Sequence, residues 1–200
     1  MFIQVIQGKT NDKAGLLRQN ERWEQELAPA AKGYLGMTGG VADDGTAIFL
    51  ARFESEQAAE ANSDRPEQGA WWNETAKYFD GDVTFRNCTD VDVTLIGDPN
   101  NAGFVQVMQG RCANRARLLE VEKAFMPQLT ERRPDVLGSV RGWDGDQFTE
   151  TIYFTSEVDA RKGEAKMNES GGAPAEMEEY ASLTEDVTFL DLKDPWLRNP

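Results

Sequence analysis

Residues 2–18 read FIQVIQGKTNDKAGLLR and residues 104–120 read FVQVMQGRCANRARLLE; at an offset of 102 they agree at eight of seventeen positions. The correspondence continues through Leu27 and Leu129, Leu35 and Leu137, and Gly36 and Gly138. It resumes with Phe53-Glu-Ser-Glu56 beside Phe154-Thr-Ser-Glu157, and closes with Asp82-Val-Thr-Phe85 beside Asp186-Val-Thr-Phe189. A unit of about a hundred residues that occurs twice is too long and too few for a solenoid, which stacks short repeats at least three deep. The chain therefore comprises two domains, or two halves of one pseudo-symmetric body.

Each copy opens on an alternating apolar segment, 2–7 or 104–109, closed by Gly8 or Gly110, which predicts a strand. Across 12–30 and 114–131 the stripe Leu16, Trp23, Leu27 recurs as Leu118, Phe125, Leu129, a spacing that keeps one helical face on a sheet. Segments 34–41 and 46–53 flank Asp43-Asp44-Gly45, and 136–143 and 148–154 flank Asp144-Gly145-Asp146, turn chemistry that favours hairpins. Ser55 and Ser156 stand where N-caps stand, ahead of a second helical region that a loop breaks at 63–69 and 169–174. Strands at 82–88 and 185–192 close the units, and Val91–Leu95 adds a short strand.

The order β-α-β-β-α-β is the ferredoxin-like, α+β arrangement, with helices on one sheet face. The first strand is largely apolar on both faces, so the face without helices also needs cover. The expectation is two tandem repeats packed sheet to sheet as an intramolecular pseudo-dimeric α/β barrel. Repeat 1 is placed at 1–96, a turn-rich linker at 97–103, repeat 2 at 104–193 and a C-terminal tail at 194–200, whose Trp196 and Leu197 dock on the body.

Composition narrows function mainly by exclusion. Lys and Arg total 21 against 35 acids, a formal charge of −14, which repels phosphate backbones and anionic lipid and argues against nucleic-acid or membrane partners. The sequence contains no histidine, which removes Ser-His and Cys-His pairs, imidazole zinc sites and histidine-ligated haem. Cys88 and Cys112 occupy non-equivalent positions and lack metal-motif spacing; free thiols are expected, with a disulfide left open. Met1-Phe-Ile-Gln carries no charged-then-apolar leader and no apolar run approaches a membrane span, so a cytoplasmic location is expected, with no metal and no cofactor.

The duplicated topology and the Phe/Val-x-Val strand and helix pattern resemble the dimeric α/β-barrel superfamily, and more narrowly tandem actinobacterial proteins similar to antibiotic-biosynthesis monooxygenases. That superfamily spans cofactor-independent monooxygenases, haem-degrading and other haem enzymes, polyketide cyclases and stress-response proteins. The resemblance implies a scheme in which a substrate phenol or enol is deprotonated and itself reduces oxygen, helped by Asn, Trp, Tyr or Arg between sheet and helices. The haem branches lack their usual histidine here.

A duplicated scaffold needs only one working pocket, so asymmetry between the copies marks candidates. Copy one carries Asn62, Arg65, Trp71, Trp72, Asn73 and Tyr78 where copy two offers Lys166, Asn168, Glu176, Met177, Glu178 and Tyr180. Trp71 or Trp72 could stack on a flat ligand, with Arg65 binding an acidic oxygen and Asn62 or Asn73 polarising a carbonyl. Alternatively, the tryptophans plug the gap between helix and sheet. The repeated amides Gln4/Gln106 and Gln7/Gln109 are expected to satisfy one another across the barrel. Arg141-Gly-Trp143 with Tyr153 is read as structural, the run Glu176–Glu179 as a solvated face, and the carboxylates Asp90 and Asp92 as chance in an acidic chain.

The preferred function is small-molecule binding, in at least the first copy, of a hydrophobic or aromatic ligand, the chemistry, if any, being cofactor-independent monooxygenation with a non-histidine base. The alternative is a non-catalytic ligand-binding or stress-response barrel; a third reading is haem held by Tyr or Cys. Further pairing into homodimers is left open.

Overall fold

The structure is a computed structural model that describes residues 1–169 and 175–198. It divides into two compact units, Met1–Val91 with Asp194–Pro200, and Asp92–Lys193. In unit 1 the elements run β1 (Phe2–Lys9), α1 (Lys13–Glu26), β2 (Tyr34–Val41), β3 (Thr46–Phe53), α2 (Glu56–Ser63), α3 (Pro66–Thr75) and β4 (Asp80–Cys88). After β5 (Asp90–Leu95) the pattern repeats as β6 (Phe104–Arg111), α4 (Arg115–Arg132), β7 (Val136–Asp144), β8 (Gln147–Phe154), α5 (Glu157–Glu169), α6 (Ala175–Leu183) and β9 (Glu185–Leu192), before β10 (Trp196–Arg198). Most of the loop expected at 169–174 lies outside the described residues.

N-terminal caps form at Ser55 and Ser156, as the sequence predicts, and also at Asp12 and Asn114. Asp12 and Asn114 accept from the Gly15 and Arg117 amides at 2.7 and 3.1 Å. Ser55 and Ser156 accept from those of Ala58 and Asp159 at 3.2 and 3.1 Å, each satisfying a donor the helix cannot.

Both sheets have the antiparallel ferredoxin-like order, β2-β3-β1-β4 and β7-β8-β6-β9. Each is then extended by a fifth strand from a distant part of the chain: β10 adds to β2, and β5 adds to β7. The sheets are separate and open, and neither closes on itself by hydrogen bonding. The segment expected as a docked tail is thus a strand, with Trp196, Leu197 and Arg198 opposite Gly39, Thr38 and Met37. The division between units falls at Val91/Asp92 because β5 belongs to the sheet of β7.

The added strands explain one glycine present in both copies. Gly36 and Gly138 have φ of 111° and 143°, at the register shifts of the β2–β3 and β7–β8 hairpins. A Cβ at Gly36 would overlap the Arg198 carbonyl oxygen, and one at Gly138 that of Thr94. Only glycine both adopts this conformation cheaply and admits the neighbouring backbone.

In each unit helices pack on one sheet face. Leu16 joins Met37, Ala47 and Trp196 in unit 1, and Leu118 joins Met108, Trp143 and Phe148 in unit 2. The opposite face of unit 1, carried by Ile3, Val5, Ile48 and Leu50, is buried as well. Among the described residues no helix is long and apolar enough to cross a membrane.

Candidate functional site

In unit 1 the space between sheet and helices is filled by rings. Trp23 meets Tyr34 at 4.7 Å and Trp71 at 6.3 Å between centroids, Trp71 meets Trp72 at 6.1 Å, and Trp72 meets Phe85 at 5.1 Å. Polar ends are tied off: Trp23 Nε1 donates to Gln68 at 2.6 Å, Trp71 Nε1 to the Gln19 carbonyl at 2.9 Å, and the Tyr34 hydroxyl to Glu24 at 2.7 Å. Burial, reinforced by Glu24, pushes the Tyr34 pKa far above that of a free phenol. A cavity of about 90 Å³ remains.

Of the six residues singled out in copy one, three border that space and three lie elsewhere in the unit. Asn62, Trp71 and Trp72 line it. Arg65 donates to the Leu27 carbonyl and to Asn62 Oδ1 at 3.2 and 2.9 Å, holding α3 against the end of α1. Asn73 is exposed. Tyr78 packs beside Leu16, and its carbonyl accepts from Thr10 Oγ1 at 2.6 Å. The first pair of amides is placed differently from expectation: Gln4 Nε2 donates to Asn87 at 3.2 Å and Gln106 Nε2 to Asp191 at 3.0 Å, each within its own sheet. A neighbouring strand supplies the partner, because adjacent strands are the nearest polar groups on a sheet face.

Unit 2 holds a cavity of about 700 Å³ in the corresponding place, a size typical of small-molecule sites. The substitutions that open it can be read pairwise: Phe125 stands where copy one has Trp23, and Val136 faces Phe154 as Tyr34 faces Phe53. Apolar walls come from Phe125, Met126, Leu129, Ile152 and Phe154, with half-exposed Phe189 among the lining residues.

Charge is concentrated at one part of this wall. Arg141 of β7 donates from Nε and Nη2 to Glu150 of β8 at 3.0 and 2.6 Å, and from Nη1 to Glu122 of α4 at 3.1 Å; Nη2 also reaches Glu122. The Tyr180 hydroxyl lies 3.4 Å from Nη2. The side chains of Arg141 and Glu150 are 4% and 7% exposed, that of Glu122 25%. Burial pushes the Glu122 pKa up, only partly offset by Arg141. Burial alone would lower the Arg141 pKa, but Glu150 and Glu122 outweigh it and keep the guanidinium charged. Burial and then Glu150 raise the Tyr180 pKa, so its hydroxyl keeps its proton.

Two charged residues of the sequence thus gain defined partners. Arg141, read as structural, is the hub of the cluster. Asp92 is not a solvated carboxylate: it accepts from Trp143 Nε1 at 2.6 Å and from Arg115 at 2.9 Å, and Arg115 lies 5.0 Å above the Trp143 ring. Of the acidic run on α6, Glu176 lines the cavity and Glu179 pairs with Arg117 at 2.7 Å. Cys88 and Cys112 are both buried.

A signal for this site is present in the sequence. Positions 118, 122, 125 and 129 form one helical stripe, and Glu122 is its single charged member; Phe148, Glu150, Ile152 and Phe154 alternate on one strand face with a carboxylate among apolar residues. A charge on an inward face is rarely tolerated unless paired. The corresponding trio in copy one is Asn20, Phe49 and Gly39, which carries no charge. There the Asn20 amide donor is buried without a hydrogen-bond partner among the described residues.

No family model matches the sequence, and no curated protein matches it. Solved structures do. A candidate monooxygenase from Lactobacillus acidophilus superposes with a TM-score of 0.68 at 12% identity, covering 98% of both chains. One from Fusobacterium nucleatum gives 0.71 at 9%, covering 99% of this chain and 94% of its own. An anthrone oxidase-like protein gives 0.68 at 10%, covering 100% and 91%. The tandem ferredoxin-like fold is shared with these proteins from end to end. At such identities the likeness concerns the fold, and function has to be argued from the site.

Proposed function

We propose that the chain is a monooxygenase that works without a bound cofactor and that its working pocket is the unit 2 cavity, where it takes an apolar, ring-containing small molecule. The observation that carries this reading is the juxtaposition of a 700 Å³ apolar cavity with Glu122, a carboxylate whose pKa is raised by burial. A base in that position holds a proton more tightly than a solvated carboxylate, which suits it to take one from a weakly acidic substrate. The fold likeness to candidate monooxygenases and to an anthrone oxidase-like protein supports the reaction class.

The chemistry balances without an external reductant. Glu122 takes a proton from a ring hydroxyl or an activated CH₂; the resulting anion gives electrons to O₂ and forms a carbon–oxygen bond. Glu122 returns its proton to the peroxide so formed, and loss of the remaining hydrogen as a proton with cleavage of the O–O bond leaves a carbonyl on the substrate and releases the second oxygen atom as water. Arg141 fixes the Glu122 carboxylate, and the rings of Phe125 and Phe154 exclude water from the anion.

Anthrone in an oxygen electrode tests the reading. One O₂ consumed per anthrone, without peroxide, is expected, and Glu122→Gln should lower kcat by about a hundredfold or more. Turnover unchanged in that variant removes Glu122 as the base; binding with no oxygen uptake favours a non-catalytic ligand-binding role.

A further inference from the structure

Glu122 and Glu150 share one guanidinium, that of Arg141, so the cluster at the cavity wall has two carboxylates for one cation. Glu150 is buried and Glu122 partly buried, and an unmatched charge becomes costly as it leaves water. The groups that face Glu122 deepen the imbalance, since Glu150 and Asp92 both act to raise its pKa and Arg141 alone lowers it.

The cations of the wall are already committed. Arg141 turns Nε, Nη1 and Nη2 on protein carboxylates and is 3% exposed. Arg133 is clamped by Asp135 at 2.7 and 3.0 Å, with both side chains 8% exposed. The Gln106 amide donates to Asp191. The Tyr180 hydroxyl remains, beside the negative charge of Glu150. Acceptors, by contrast, are plentiful: Glu122 is the most exposed member of its cluster, and Glu164 and Glu176 also line the cavity.

From this geometry we propose that the unit 2 cavity selects its ligand by charge: it takes an apolar molecule whose polar end is a cation or an uncharged hydrogen-bond donor, an amine or a hydroxyl, and rejects a carboxylate. An ammonium at Glu122 completes the cluster with the missing positive charge, and Phe125, Phe154, Phe189 and Tyr180 supply ring faces that favour a cation. A hydroxyl gains the same acceptor without the charge. A carboxylate meets like charge and loses its hydration with no uncommitted cation among the described lining residues to replace it. This rests on the reading of the cavity as the ligand site and adds the polarity of what it holds.

The experiment is calorimetric titration of the whole chain with three probes that share one ring system, naphthylmethylamine, naphthylmethanol and naphthoate, at pH 7.5 and low salt. The amine should bind tightest, the alcohol next and naphthoate at least about tenfold more weakly than the amine, the difference expected for one charge-assisted contact. Glu122→Gln keeps an oxygen for Arg141 but removes the surplus charge, and should bring amine and naphthoate to within about threefold of one another. Naphthoate binding tightest, or the same amine preference in a folded Glu122→Gln chain, overturns the charge selection while leaving the cavity a ligand site. Failure of all three probes to bind the wild-type chain overturns both readings. The ranking in the wild-type chain decides the question even if the variant does not fold.

Discussion

Unit 1 and unit 2 share strand order, helix caps and the glycine that admits an added strand, yet they use the space between helices and sheet in opposite ways. Unit 1 fills it with Trp23, Tyr34, Trp71 and Trp72 and leaves about 90 Å³. Unit 2 puts Phe125 and Val136 in the first two of those positions, leaves about 700 Å³, and replaces Asn20, Gly39 and Phe49 by Glu122, Arg141 and Glu150. Shared elements are those that backbone geometry demands. The differences lie at inward side chains, where volume and charge can change while the hydrogen-bonded frame remains.

The largest effect that would break this contrast is expected at Arg141. Arg141→Leu strands Glu122 and Glu150 in the interior and should cost about 3–5 kcal/mol in denaturant unfolding at pH 7; a loss below about 1 kcal/mol would mean that water reaches the cluster freely. Close behind, Trp23→Ala should cost about 3 kcal/mol and enlarge the unit 1 cavity, seen as new binding of small aromatic probes to that unit. The reverse exchange, Phe125→Trp, narrows the unit 2 cavity. It should change stability by no more than about 1–3 kcal/mol while abolishing ligand binding there, measured by titration.

A smaller effect separates the charged unit from the neutral one through pH. The raised pKa of Glu122 means that the folded chain holds its proton where the unfolded chain, near 4.5, has released it. Stability from this group is therefore full below pH 4.5 and falls as pH rises through the folded value. Glu122→Gln should flatten that part of the stability profile, whereas Asn20→Asp should introduce a comparable decline in unit 1. The smallest effect is expected where the units agree. Lys9–Asp44 and Arg111–Asp146 each tie the end of a first strand to the hairpin turn of its unit, at 2.8 and 2.7 Å. The Lys9 ammonium, with Thr46, holds the Asp44 pKa at about 2, so its contribution is present above the ordinary carboxylate value of 3.8 and disappears as pH falls to about 2. Asp44→Asn should cost under about 1 kcal/mol, because the pair is exposed.

The frame was legible because repetition supplies two readings of every element. Strand 46–53, the hairpin turn at Asp43-Asp44-Gly45, and the caps Ser55 and Ser156 all stand where periodicity and cap chemistry put them. The three-residue strand at Trp196 was read as a docked tail, since so short a segment shows no alternation and its partner, β2, lies far away in sequence. The pocket was sought among the tryptophans of copy one, which line the smaller cavity and pack on one another. Large aromatics announce themselves in a sequence, but a cavity is written in what is small: Phe125 for Trp23 and Val136 for Tyr34. Glu122 stood in the apolar stripe all along; its partners Arg141 and Glu150 meet it only because β7 and β8 pair beneath α4.

The added strands also set an order on the making of the protein. As the chain leaves the ribosome, residues 2–88 can assemble four strands and their helices, but the edge beside β2 stays uncovered until residues 196–198 emerge, after the whole of unit 2 has been made. Unit 2 carries its own extra strand ahead of it in β5 and waits for nothing. The half with the rings, started first, is thus finished last, and in the interval Gly36 and Gly39 lie on an open edge that a second chain could occupy.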